Sequence, residues 1–252
     1  MKILITFAMD AEFAPWRKRR EFALGESRAV PLYRTEIGAA EVFVGITGMG
    51  PGIGPYKLGA LFAMEPQICV SSGLAGALKP DYTQGEILAA GAVTSLHNRD
   101  ALTSDVRLLR SAVACGARKV ESLVTADRVI ATPAEKQALG SFADAVEMES
   151  YLVLGFAARR GIQTLAVRAI SDACDEELPG ALQHIVRPDG SVRVARVLTL
   201  LLAQPSAVSK LIGLGRRSRQ AAETLCGFLD EFVATLAPEV APEEAAFAAK
   251  MG

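Results

Sequence analysis

Gln163-Thr164-Leu165-Ala166-Val167-Arg168-Ala169-Ile170-Ser171-Asp172 is the stretch on which the fold is decided. Its β-rich, mainly apolar part, 163–170, is short and does not alternate cleanly, the pattern of a strand buried on both faces. It ends in a polar pair, Ser171-Asp172. Just before it, Ser150 to Arg159 has helical character. The same alternation runs back toward the N-terminus. Ile3 to Ala8 reads as a buried strand, followed by a helix start at Met9 to Glu12. Leu32 to Glu36 and Glu41 to Ile46 read as paired strands around Gly38-Ala39-Ala40. A glycine-rich loop, 48–54, leads into a helical stretch ending near Met64. Gln67 to Ser72, Glu86 to Ala92 and Lys119 to Leu123 are strand-like, and Ser104 to Ala114 has helical spacing. Thr132-Pro133-Ala134-Glu135 carries an N-cap, a proline at the first helical position and a glutamate three residues after the cap. Strands alternating with helices predict an α/β fold: a single domain with a mixed, mostly parallel central sheet flanked by helices.

Beyond Pro179 the character changes. Val192 to Leu202 is very apolar and Pro205 breaks it. Ser206 to Leu236 then shows helical spacing, interrupted by the basic stretch Arg216, Arg217, Arg219. The sequence therefore divides into a domain over 1–178, a helical extension over 179–236 packed on it, and an Ala/Glu/Pro-rich tail over 237–252 that is expected to fray.

Composition narrows the function classes. With 27 Lys and Arg against 28 Asp and Glu, the formal net charge is −1, which disfavours a nucleic-acid partner. The four cysteines, 69, 115, 174 and 226, are widely spaced without CxxC, and there are only two histidines, so no metal site is expected. Scattered thiols fit a reduced compartment. The apolar N-terminus is interrupted by Asp10 and Glu12, too early for a signal peptide, and no apolar run reaches about 18 residues. The expectation is a cytoplasmic protein.

Three segments place acids where an open α/β sheet binds ligands, outside the C-terminal ends of its strands. They are Ala8-Met9-Asp10-Ala11-Glu12, Val146-Glu147-Met148-Glu149-Ser150, and Val167 to Asp172. Each has a plain structural use as well. Asp10 and Glu12 suit a helix N-terminus, Ser171-Asp172 suits an N-cap, and Glu147 and Glu149 suit a solvated face. The glycine stretches 48–54 and 73–76 match neither a dinucleotide fingerprint nor a Walker motif, so neither NAD nor a nucleoside triphosphate is indicated, and no cofactor is expected.

Taken together, these segments resemble the nucleoside phosphorylase family I, and within it the methylthioadenosine/S-adenosylhomocysteine nucleosidases. Met1-Lys2-Ile3 with Ala8-Met9 and Glu12 resembles their start. Ser72-Gly73-Leu74-Ala75-Gly76-Ala77-Leu78 resembles their small-residue loop after a central strand, and Gly85-Glu86-Ile87 the following step. Val146 to Glu149 and Val167 to Asp172 are the most specific matches. The resemblance covers roughly residues 1–178 and implies cleavage of a purine nucleoside's N-glycosidic bond.

That chemistry has two needs: a proton for N7 of the leaving purine, and negative groups around an oxocarbenium-like ribose. The resemblance implies that Glu12 holds or deprotonates the attacking water and that Asp172, helped by Ser171, protonates N7. It implies that Glu149 binds the ribose hydroxyls, with Glu147 beside it, that Met148 packs on the sugar, and that Arg168 lies near the nucleophile. Ala75 and Gly76 let backbone approach the ligand. Met9 and Met49 line the pocket around the 5′ substituent. Val129 stands where the methylthioadenosine enzymes carry a phenylalanine against the purine.

A closer resemblance, to the hopanoid-associated members of the family, adds Ala134-Glu135-Lys136-Gln137-Ala138-Leu139, Pro188-Asp189-Gly190, Ala195-Arg196-Val197-Leu198 and Pro205. It implies removal of adenine from adenosylhopane, a lipid-linked purine nucleoside, to leave a ribosyl hopane. It also implies a homodimer or larger oligomer. Val192 to Leu202 and Val208 to Leu214 offer apolar surface for a large 5′ substituent. The adjoining arginines suit a peripheral contact with anionic headgroups. The same helices equally suit packing on the sheet or a subunit interface.

Phosphate binding needs convergent cations. Met9 to Phe13 and Ile68 to Leu78 contain no arginine, and Glu12 would repel a phosphate, which favours water. Arg17, Arg19, Arg20 and Arg168 leave phosphorolysis open.

Overall fold

The computed structural model describes residues 1–179, apart from 26, 28, 51, 52 and 99, together with 205–237. Val192 to Leu202 and residues 238–252 lie outside the described residues, as do the side chains of 205–210.

The strands are β1 (Lys2–Phe7), β2 (Ala23–Leu24), β3 (Leu32–Ile37), β4 (Ala40–Ile46), β5 (Ile68–Ala77), β6 (Ile87–Ser95), β7 (Leu102–Thr103), β8 (Arg118–Thr125), β9 (Ala145–Glu147) and β10 (Gln163–Asp172). The helices are α1 (Asp10–Arg19), α2 (Pro55–Phe62), α3 (Val106–Ala114), α4 (Pro133–Gly140), α5 (Ser150–Ala158) and α6 (Pro205–Leu236).

One mixed sheet runs in the order β10-β6-β8-β9-β5-β1-β4-β3-β2, and β10 also pairs with β5. That extra pairing closes β5, β10, β6, β8 and β9 into a ring, from whose β5 the β1-β4-β3-β2 wing extends. The long β1–β4, β1–β5, β5–β10 and β6–β8 ladders are parallel, while β3–β4 and β6–β10 are antiparallel. The expected hairpin around Gly38 and the α/β layering are both present.

Local chemistry accounts for the helix starts. Thr132 and Glu135 form a reciprocal capping box at α4, with Pro133 in the first turn. Asp105 caps α3 by accepting from the amides of Arg107 and Leu108. One expectation is corrected: Gly73 to Ala77 is not a loop but the second half of β5. Its small residues keep ladder contacts with β10 and β9, so no turn is needed there.

The two larger of three hydrophobic clusters fill the spaces on either side of the sheet. One packs Ile3, Ile5, Val70, Leu165 and Val167 against Phe13, Trp16 and the second half of α6: Ala221, Leu225, Leu229, Phe232 and Val233. The other packs Leu4, Cys69, Ala166 and Ile170 against Leu58, Leu61, Val153 and Leu154 of α2 and α5. Burying each of the larger apolar side chains here stabilises by roughly 1.5–3 kcal/mol, so α6 is part of the core rather than a loose appendage. Trp16 Nε1 of α1 donates to Asp230 Oδ1 of α6 at 2.8 Å, which fixes the two helices together. No described helix is long and apolar enough to cross a membrane.

Candidate active site

The C-terminal ends of β1, β5 and β10 and the start of α5 meet around a cavity of about 210 Å³. Its walls include Met9, Glu12, Met49, Ala75, Gly76, Val129, Glu147, Met148, Glu149, Ser171 and Asp172. These are eleven of the twelve residues singled out in the sequence.

Glu12 sits in the first turn of α1, three residues after the Met9 N-cap. Its Oε2 accepts from the amides of Ala8 and Met9, each at 3.0 Å, and its Oε1 accepts from Leu74 N at 3.1 Å. Glu12 therefore caps the helix start and also faces the cavity, so the structural and chemical uses coincide in one side chain. Burial raises its pKa above the ordinary carboxylate range, against the lowering effect of the Met9 amide, Arg168 and the other amides. A glutamate so shifted is a stronger base when ionised. Gly73 makes this position available. Its φ is +145°, and a Cβ there would lie 3.1 Å from Glu12 Oε1.

Asp172 is the last residue of β10, in register with Gly76 of β5 across a β-bulge. Its Oδ1 accepts from Ser171 Oγ at 2.6 Å and its Oδ2 from Lys136 Nζ at 2.6 Å. Both carboxyl oxygens are thus directed, and Asp172 itself is 5% exposed, on the cavity wall.

Glu147 and Glu149 divide the work at the start of α5. Glu147 Oε2 accepts from the amides of Glu149 and Ser150 at 2.9 and 2.8 Å, satisfying N–H groups that a helix start leaves open. Thr125 Oγ1 donates to its other oxygen. Arg168 Nη2 donates to Glu147 Oε2 at 2.5 Å and to Ser150 Oγ at 2.8 Å. Burial pushes the Glu147 pKa up, but Arg168 and these donors outweigh it and hold the carboxyl below the usual range. Among the described residues, Glu149 accepts a single long bond, from Gly50 N at 3.3 Å. Burial first, and the charge of Glu147 second, push its carboxyl up to about 8, with Arg168 opposing. Glu147 is committed to the fold, while Glu149 keeps acceptor capacity facing the cavity.

Arg168, expected near the nucleophile, lies behind the acids and acts on the Glu12 carboxyl through its charge. It is 0% exposed, absent from the cavity wall, and its charge is engaged by Glu147, with Glu149 at 3.9 Å. The alternation of β10 turns it toward α5, into a site only paired carboxylates make tolerable.

Several wall residues were not read from the sequence. Leu74, Arg128, Ile130 and Leu178 join from neighbouring segments and Ser218 joins from α6, while Leu214, the end of the apolar run 208–214 read for the 5′ substituent, also reaches the wall. Arg128, the cation on the wall among the described residues, is paired with Glu135 at 2.8 Å. A second cavity, of about 370 Å³, lies between α1 and α6. It shares Met9, Glu12, Leu74 and Ser218 with the first, and its walls include Ala11, Ala14, Pro15, Gly215 and Ala222.

Comparison with known proteins agrees with this architecture. The 5′-methylthioadenosine/S-adenosylhomocysteine nucleosidase of Helicobacter pylori superposes with a TM-score of 0.72 at 18% identity, over 93% of this chain and 98% of that one. Futalosine hydrolase of Helicobacter pylori gives 0.71 at 19% identity, over 93% and 98%. S-adenosylhomocysteine nucleosidase of Streptococcus pyogenes gives 0.70 at 17% identity, over 94% and 97%. At such identities the likeness is one of fold. No curated protein sequence matches this chain. A family model described as the phosphorylase superfamily matches residues 2–203, four-fifths of the length, and the chain belongs to that superfamily.

Proposed function

We propose that this protein hydrolyses the N-glycosidic bond of a 5′-substituted adenosine and releases adenine. The observation that carries the reading is the convergence of Glu12, Glu149 and Asp172 on one cavity in three different environments. Water held by Glu12 attacks C1′ and gives its proton to that carboxylate. The C1′–N9 bond breaks with its electron pair passing to the purine, and Asp172, entering as the acid, protonates N7. Glu149 accepts hydrogen bonds from the ribose hydroxyls. Each carboxyl returns to its starting state by exchange with solvent. Solved neighbours of this fold are named as nucleosidases for methylthioadenosine and S-adenosylhomocysteine and as futalosine hydrolase, which supports the reaction class.

Water is favoured over phosphate because two of the cations near the cavity are already paired. Arg128 is held by Glu135 and Arg168 by Glu147. A phosphate dianion would also stand against Glu12.

For the 5′ substituent we propose a bulky hydrocarbon, and specifically adenosylhopane as substrate. The mainly apolar second cavity, next to Met9 and Leu74, supports this, with small side chains on both helices leaving the space open. A homo-oligomer and a peripheral contact with anionic lipid belong to the same proposal. Arg217 and Arg219 are drawn to Glu176 and Glu223, so that contact rests on Arg216 and the exposed Ile212.

The test is adenine release from methylthioadenosine, S-adenosylhomocysteine, futalosine and detergent-solubilised adenosylhopane, with and without phosphate. Release from adenosylhopane alone, independent of phosphate, is expected. Faster release from the small substrates would make this a salvage nucleosidase, and an absolute need for phosphate would overturn hydrolysis.

A further inference from the structure

Lys136 is a fully buried charge that the fold does not explain. It lies in the first turn of α4, just after the Thr132 cap, where a cation opposes the helix dipole. It is 0% exposed, and burying an ammonium is costly unless it is fully paired. A buried ion pair is also weak grounds for stability, since apolar replacements are often as stable. Helix formation, surface charge and packing thus give no reason for a lysine here. Its contacts do. Nζ donates to Asp172 Oδ2 at 2.6 Å, to the carbonyl of Ala173 at 2.6 Å and to the carbonyl of Glu176 at 3.0 Å, which uses all three of its protons.

We infer that Lys136 is a positioning residue for the proton donor: it fixes the plane of the Asp172 carboxyl and supplies the counter-charge when that group becomes a carboxylate. This rests on the acid role given to Asp172 above. Ser171 Oγ holds Oδ1 and Lys136 Nζ holds Oδ2, so the carboxyl cannot rotate, and its remaining lone-pair sites keep one direction. When the O–H bond of Asp172 breaks and N7–H forms, the negative charge left on the carboxyl appears beside an ammonium already in place, with no reorganisation at the moment of transfer.

The same ammonium ties the carbonyls of Ala173 and Glu176 after β10, in the segment that leads to Leu178 of the cavity wall. Glu176 is also bridged to Arg217 of α6. Lys136 therefore joins the acid, the segment after β10 and, through that bridge, α6.

The experiment is a mutant cycle of K136M, D172N and the double variant, read as kcat and KM for adenine release from the fastest substrate of the panel above. K136R serves as the variant that keeps the charge. Expected results are a roughly 100-fold loss of kcat in K136M with KM changed by less than about threefold, part of it recovered in K136R. In the D172N background, K136M should cost less than about threefold further, because the group it positions can no longer act. Multiplicative losses in the cycle, or a kcat unchanged in K136M, would overturn the inference. Should K136M not fold, the same cycle with K136R decides, its loss vanishing in D172N or persisting there. If D172N alone keeps full activity, the acid role of Asp172 has failed, and that outcome is separate from failure of the lysine.

Discussion

Gly76 leaves the space that the Asp172 carboxyl occupies: a Cβ on Gly76 would stand 2.8 Å from Asp172 Oδ2. The two residues face each other in the β5–β10 register, so neither can retreat without disturbing the ladder. The acid can move only by giving up Lys136 or Ser171. Gly76→Ala is therefore expected to leave the fold intact by circular dichroism while lowering kcat/KM by roughly 100-fold, because small displacements of a catalytic group are costly. Equal activity in the alanine variant would show that the carboxyl has slack the geometry does not allow.

Glu149 gives the protein a pH-dependent stability. Its carboxyl is raised from 4.5 to about 8 by burial and by Glu147. Between those values the folded chain holds a proton that the unfolded chain has lost. The stabilisation is full below the unfolded value and is lost as pH rises through the folded one. Glu149→Gln does not titrate, so the wild type should lose stability relative to this variant between about pH 4.5 and pH 8, by a few kcal/mol. Melting temperatures of both proteins across that range read it directly. Above about pH 8, where Glu149 is ionised, the variant should also bind the nucleoside more weakly, since an amide accepts from two hydroxyls less well than a carboxylate.

Glu12→Gln keeps the shape of the side chain but cannot take a proton from water. We expect a loss of kcat by roughly 10²–10⁴-fold with substrate affinity within a few-fold, measured by single-turnover adenine release and equilibrium binding. A parallel loss of affinity would assign Glu12 to binding instead.

Arg168 and Glu147 are both 0% exposed in their side chains. Arg168→Met strands Glu147 as an unpaired buried charge and should destabilise by about 3–5 kcal/mol in urea unfolding. Adding Glu147→Gln to it should restore a large part of that loss. No recovery in the double variant would mean that Arg168 is needed mainly for Ser150 and Ser71, its other acceptors.

Much of the fold was legible because it is written in local pattern. The buried runs at Ile3 and Gln163, the hairpin at Gly38 and the Thr132–Glu135 cap each depend on residues within a few positions of one another. The acids Glu12, Glu149 and Asp172 were legible as candidates for the same reason: each stands where a strand ends or a helix begins. Gly73 to Ala77 was misread as a loop because small residues look alike in turns and in a strand whose neighbours crowd it.

The sequence by itself determined the alternation of strands and helices, and with it the edge at which acids collect. Only the tertiary structure decided which of those acids are free to act. Glu147 and Glu149 are two positions apart in one segment, yet Arg168, 21 residues from Glu147, engages the first, and the second keeps its acceptor capacity. Lys136 likewise meets Asp172 across 36 positions, and Leu214 and Ser218 reach the cavity from α6. Charge state and orientation depend on burial and on partners brought together by sheet register and helix packing, and contacts over such separations leave no periodicity in the chain.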